Sequence, residues 1–183
     1  MATIYSETIT ANKTWTCPKD GIYKIICVGG GGAGSAKPSS SGSTIEANGE
    51  AGKTTSFGSY LSAKGGASGG SGFKTKERYL GGEPINGFNG AAVYGEVCYG
   101  VTTGCGYGAS GGAYNGNTST FRSAGQPGEV KSAIISFQKG DAVACTIGAG
   151  GAAGALTSTS SAFACSFEGA AGAIFIQYIG ESL

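Results

Sequence analysis

The side chains of this chain that could act on or hold another molecule are eleven aspartates and glutamates, six cysteines and nine tyrosines, and there is no histidine. Without imidazole the commonest general base and metal ligand is missing, so acid–base or metal chemistry would rest on carboxylates and thiolates. The cysteines (Cys17, Cys27, Cys98, Cys105, Cys145 and Cys165) form no C-x-x-C pair, and a zinc site would need four scattered thiolates. Cys27 and Cys145 fall in apolar runs, where cysteine is a small hydrophobe. Cytoplasmic synthesis favours reduced thiols, while a Cys98–Cys105 disulfide stays open to a protein that ends up outside a cell. Asp20, Asp141 and Glu168 stand in turns or at strand ends without an evident partner, and the two aspartates read as turn residues that bond nearby backbone. A glycan hydrolase would need two carboxylates in one cleft, roughly 5–10 Å apart. No pair here points to one.

Glycine motifs that mimic phosphate sites fail for want of a helix behind them. Gly29-Gly-Gly-Gly-Ala-Gly34 fits G-x-G-x-x-G after an apolar run, with Glu50 at a distance suited to a ribose contact. The fingerprint requires a helix next, and Ser35-Ala-Lys-Pro-Ser-Ser-Ser-Gly42 cannot supply it. Residues 148–154 fail for the same reason, and no G-x-x-x-x-G-K-[ST] occurs. No cofactor is expected.

Binding chemistry has better candidates. Tyr79, Tyr94, Tyr99, Tyr107 and Tyr114 stand among glycines, and tyrosine on such a support offers a rigid amphipathic surface at low entropic cost. Tyr94, Tyr99, Tyr107 and Tyr114, with Lys74 and Arg78 of the cluster Lys74-Thr-Lys-Glu-Arg78, are the candidate contact residues. The plainer alternative is that the rings cover neighbouring backbone as a satellite core and the charges are a solvated loop.

The elements that must position these residues are strands. Glycine numbers 37, roughly a fifth of the chain against a usual share of about 7%. It does not recur every third residue along the chain, which excludes a collagen triple helix. Net charge is +1 with 13% charged residues, so no electrostatic footprint for nucleic acid is present. No basic–apolar leader opens the sequence, and no apolar run reaches the roughly 18 residues of a membrane span, so neither secretion nor membrane insertion is expected. Alternation predicts a weak edge strand over 4–10 and a strand apolar on both faces over 22–28, which suits a covered central position. Trp15 is expected in the core with its N–H on backbone. A short strand is expected near Phe57, Tyr60 and Leu61; residues 130–137 and 142–147 read as an antiparallel hairpin; further strands are expected at 161–167 and 173–179. Almost no helix is expected. One domain, 1–183, results, with core strands at about 3–28 and 130–180 and a glycine-rich insertion at about 29–129.

The segments Trp15-Thr-Cys-Pro-Lys-Asp-Gly-Ile-Tyr-Lys-Ile, Gln138-Lys-Gly-Asp-Ala-Val, Thr146-Ile-Gly-Ala-Gly-Gly-Ala-Ala-Gly154 and Thr55-Ser-Phe-Gly-Ser-Tyr-Leu-Ser-Ala-Lys-Gly-Gly66 resemble the glycine-rich domains of bacteriophage tail-fibre and virion proteins. The order Pro…Gly-x-Tyr, Lys-Gly-Asp-x-Val, then Ser166-Phe-Glu-Gly-Ala before a strand also resembles tumour-necrosis-factor-like jelly rolls, including complement-type heads. Together these imply an all-β, jelly-roll-like antiparallel sandwich whose Gly-x-Tyr and closing strands are neighbours. They also imply a homo-oligomer, with a trimer favoured. In the phage tail-tip adhesins with such segments, glycine runs pack as parallel extended helices bonded through backbone; residues 29–34, 65–72, 104–112 and 148–154 would supply them here. The function implied is a non-enzymatic virion component, assembled in the host cytoplasm, of a tail fibre, tail tip or head fibre. It would contact other virion proteins and a host-surface glycan or protein. The alternatives are a capsid or tail decoration or collar protein with no receptor role and, last, a fibre-associated glycan hydrolase.

Overall fold

The computed structural model describes residues 5–37, 48–69, 107–108, 113–115, 121–123, 125–154, 157–158 and 163–181. In chain order its strands are β1 (Ser6–Ile9), β2 (Lys13–Thr16), β3 (Gly21–Val28), β4 (Ser35–Lys37), β5 (Thr55–Phe57), β6 (Leu61–Ala63) and β7 (Ala113–Asn115). They continue as β8 (Phe121–Ser123), β9 (Val130–Phe137), β10 (Ala142–Thr146), β11 (Thr157–Ser158), β12 (Phe163–Ser166) and β13 (Ala173–Gly180), with no helix among the described residues.

Two four-stranded antiparallel sheets, β1-β13-β3-β9 and β2-β10-β5-β6, enclose one core. The β-branched run of β3 takes a central place and is buried along nearly its whole length, as two apolar faces require. Its neighbour is the closing strand β13, with Ile25 opposite Ile176 and Cys27 opposite Ile174. Between the sheets Trp15 meets the rings of Tyr23, Phe57 and Phe137 at centroid distances of 5.3–5.6 Å. Cys17, Cys27 and Cys145 are buried free thiols, and burial pushes the Cys27 thiol up to about 12.

Three expectations need correcting. Residues 130–137 and 142–147 do not pair as a hairpin: β9 lies beside β3, whereas β10 lies between β2 and β5 in the other sheet. The turn between them is tied instead to the connection from β2 to β3, since Gly140 N–H bonds Cys17 O and Lys139 N–H bonds Asp20 Oδ1 at 2.6 Å. Asp141 accepts from Gln138 N–H in its own turn, as anticipated. The stretch 29–129 is not wholly an insertion, because β5 and β6 complete the second sheet and Phe57 is fully buried. Finally, Trp15 Nε1 donates to Tyr5 Oη (3.0 Å) rather than to backbone.

Tyr5 Oη in turn donates to the Glu7 carboxylate, which also pairs with Lys13 and so ties the two sheets together at their edge. Burial alone would raise the Glu7 carboxyl, but the hydrogen bonds from Lys13 and Tyr5 outweigh it and hold the group below its ordinary 4.5. A carboxyl depressed on folding stabilises fully above the ordinary value, and that contribution is lost as pH falls through the folded-state value below it. Glu7→Gln should therefore narrow the gap between melting temperatures at pH 6 and pH 3, followed by Trp15 fluorescence. An unchanged gap would remove Glu7 from acid unfolding.

Beyond the sheets the chain changes from a two-residue to a three-residue repeat. Along 29–34 each successive N–H donates to a different segment: Gly29 to Glu129 O, Gly30 to Lys53 O and Gly31 to Ala170 O, then Gly32 to Gln126 O, Ala33 to Glu50 O and Gly34 to Phe167 O, at 2.9–3.1 Å. On the second pass every acceptor has stepped back three residues, so these three neighbours run antiparallel. Gly30 O and Ala33 O accept from Gly66 and Gly69, a parallel neighbour, and Gly31 O accepts from Gly151. The surrounding segments also bond one another in a closed ring: 50–53, 64–69, 125–129, 107–108, 167–172, 148–154 and back to 50–53. Three residues per turn with every peptide group turned outward is the geometry of an extended helix without internal bonds. The bundle mixes directions, in contrast to the parallel packing expected, because the chain enters and leaves it alternately.

Glycine is what lets these backbones touch. Residues 66 and 69, 125 and 128, 148 and 151, and 169 and 172 are buried, all are glycine, and the positions between them are exposed or half-buried. A Cβ at Gly30 would lie 2.1 Å from Ala149 O, inside any real contact. Each long segment runs directly into a strand: 29–34 follows β3, 64–69 follows β6, 148–154 follows β10, while 50–54, 125–129 and 167–172 lead into β5, β9 and β13.

Candidate contact surface at the far end of the glycine bundle

One end of the bundle is rooted in the two sheets; the opposite end carries the two small sheets. There 29–34 leads into β4, which pairs with β8, and 148–154 leads toward β11, which joins β12 and β7 in a three-stranded sheet. The small sheets adjoin, since β4 lies against β7 and β12. Ser35 at this end accepts from Gly49 N–H (3.0 Å), closing the step from the bundle to β4.

The candidate contact residues divide. Tyr114 is in β7, opposite Cys165 of β12, at the far end. Tyr107 is at the other end: its ring meets Phe175 of β13 edge-on at 5.7 Å, and the next residue bonds Ala171 O and Gly128 N–H. Its surroundings match the satellite-core alternative. Lys74, Arg78, Tyr94 and Tyr99 lie outside the described residues, as do Cys98 and Cys105. Phe167 was not singled out by sequence, yet it is 39% exposed where its carbonyl receives Gly34 N–H at the far end. A signal existed. Phe167 stands two residues before Gly169-Ala-Ala-Gly172, and extending that three-residue repeat backward puts 167 on its outer side.

Shifted ionisable groups lie elsewhere. Tyr5 and Tyr23 are raised and Glu7 lowered within the two large sheets, and Glu129 is lowered at the sheet end of the bundle, by the N–H of Lys64 first and by Lys131. Among the described residues no three acidic or sulfur side chains converge on a metal-sized space. Nor, among them, is any helix long and apolar enough to cross a membrane. Comparison with known proteins found no match: no family model, curated protein or solved structure aligns significantly with the chain.

Proposed function

We propose that the chain is a non-enzymatic structural protein of a bacteriophage particle, a tail-fibre, tail-tip or head-fibre component whose far end meets a glycan or protein of the host surface. The observation that supports this best is the polarity of the bundle, whose long segments are rooted in core strands at one end and end in small sheets at the other. A lattice of backbone bonds fixes the position of what it carries. Glycine-rich extended segments bonded to one another through backbone are what the resemblance to tail-tip adhesins implies, although there all run parallel. A second reading, a capsid or tail decoration protein without a receptor role, is favoured by Val130, Ile134 and Ile179, exposed on the sandwich.

Labelled protein should bind intact cells of the host saturably and selectively. Replacing Tyr99 and Tyr114 by alanine should weaken binding at least about tenfold, as loss of one aromatic hot spot does, with melting unchanged. Tyr107→Ala serves as the contrast, lowering stability while sparing binding. Absence of binding to every host of the parent particle would move the assignment to the decoration reading.

A further inference from the structure

We propose that β9 pairs with β9 of a second copy of this chain across a two-fold axis, joining two β1-β13-β3-β9 sheets into one of eight strands. This stands on the sheet geometry and does not depend on the proposed receptor role. Among the described residues β9 is the outer strand of its sheet, and it is eight residues long. Its pairing with β3 runs through eight consecutive partners without a bulge. Proline is absent from it, and its single charge, Lys131, is 3.3 Å from Glu129 Oε1. Natural edges of this length are normally blunted by bulges, prolines or charges, because an open row of N–H and C=O groups recruits another strand.

The direction of that row is fixed by the bonds. Tyr178 N–H bonds Tyr5 O, so the even residues of β13 face β1 and the odd ones face β3. Register then turns Tyr23, Ile25 and Cys27 of β3 toward β9, where Ile135, Ala133 and Lys131 answer them. Val130, Ser132, Ile134 and Ser136 therefore point their peptide groups away from the sheet. Two of these four, Val130 and Ile134, are also exposed large apolar side chains, at 42% and 57%. Among the described residues, backbone without a strand partner and exposed apolar surface coincide here.

The strand complements itself. With the axis at Ile134, this residue faces its counterpart and Ser132 faces Ser136 of the second copy. These pairs form about six backbone hydrogen bonds, two for the central pair and two for each flanking pair. The same register sets Glu129 opposite Lys139 of the second copy at both ends. An axis at Ala133 would instead oppose Glu129 to Phe137, with no such complement.

The test uses the full chain. Sedimentation should give twice the monomer mass of 17.9 kDa. Ile134→Cys should form a covalent dimer on mild oxidation, its 134–134 link identified by peptide mapping. Cα atoms of a directly bonded antiparallel pair lie about 5.5 Å apart, within disulfide reach. Thr14→Cys, exposed on β2 at the opposite side of the sandwich, should not link. Ile134→Lys should weaken association at least about tenfold while leaving monomer melting unchanged, since like charges would then face each other across the axis. A monomer at every concentration, a three-copy assembly, or a dimer that fails to link through Ile134→Cys would each overturn the proposal.

Discussion

Gly66→Ala should leave little folded protein, although it adds one methyl group. The new carbon would sit 1.9 Å from Gln126 O and 2.7 Å from both Gln126 C and Pro127 O, and every one of these atoms is backbone, so no rotamer change relieves the overlap. Segment 64–69 would have to retreat from 125–129 by about an ångström, since real contacts of this kind stay beyond 3.0 Å. That retreat strains Gln126 N–H to Ala67 O, Glu129 N–H to Lys64 O and Gly66 N–H to Gly30 O, bonds of 2.8, 2.9 and 2.8 Å. Buried peptide groups left unpaired cost roughly 1–3 kcal/mol each, so the total should exceed about 4 kcal/mol, a large share of a typical 5–15 kcal/mol stability. In a chain of this length that is a fall in melting temperature of about 8–16 °C or more. Ala67→Ser, one position on and exposed, should stay within about 0.5 kcal/mol. Thermal melting of the two variants decides the matter, and wild-type behaviour of Gly66→Ala would refute the bundle.

The strands were legible because their signal is local. Residues 22–28 and 173–179 carry apolar side chains on both faces, and they become the adjoining central strands β3 and β13. The break between β9 and β10 was not legible, since alternation around Lys139-Gly-Asp141 is the same whether the chain returns within a sheet or crosses to the facing one. What decides it is the bond from Lys139 N–H to Asp20, over a hundred positions earlier in sequence.

Half of the bundle was hidden for a related reason. Runs such as 29–34 and 148–154 announce themselves by density, but 49–54, 125–129 and 167–172 hold few glycines, at 49 and 52, 125 and 128, and 169 and 172. Their common spacing of three is the signal, because one face of a three-residue repeat must be bare to meet a neighbour. Composition counted over the whole chain conceals it. The contact tyrosines show the complementary limit: Tyr107 and Tyr114 have the same glycine-rich flanks, yet Phe175 draws one to the sheet end and β12 holds the other at the far end.

Ile176→Asp should abolish folded protein at neutral pH. Ile176 is 1% exposed, paired with Glu7 on one side and Ile25 on the other, so the new carboxylate would enter the core beside a carboxylate already committed to Tyr5 and Lys13. Loss of the isoleucine alone costs about 2–5 kcal/mol, and an unpaired buried charge adds several more. Together these match or exceed the stability of an ordinary domain. Burial raises a carboxyl above its unfolded value, so this destabilisation should ease as pH falls and the group takes up a proton, opposite in sign to the Glu7 effect. Ile176→Val should cost only about 0.5–1.5 kcal/mol, and Ile134→Asp, on the exposed side of β9, should leave monomer stability within about 0.5 kcal/mol. Circular dichroism and Trp15 fluorescence of the three variants separate burial from strand position. Cooperative, wild-type-like melting of Ile176→Asp at pH 7 would mean that β13 does not run between β1 and β3, and the bundle rooted in these strands would lose its footing.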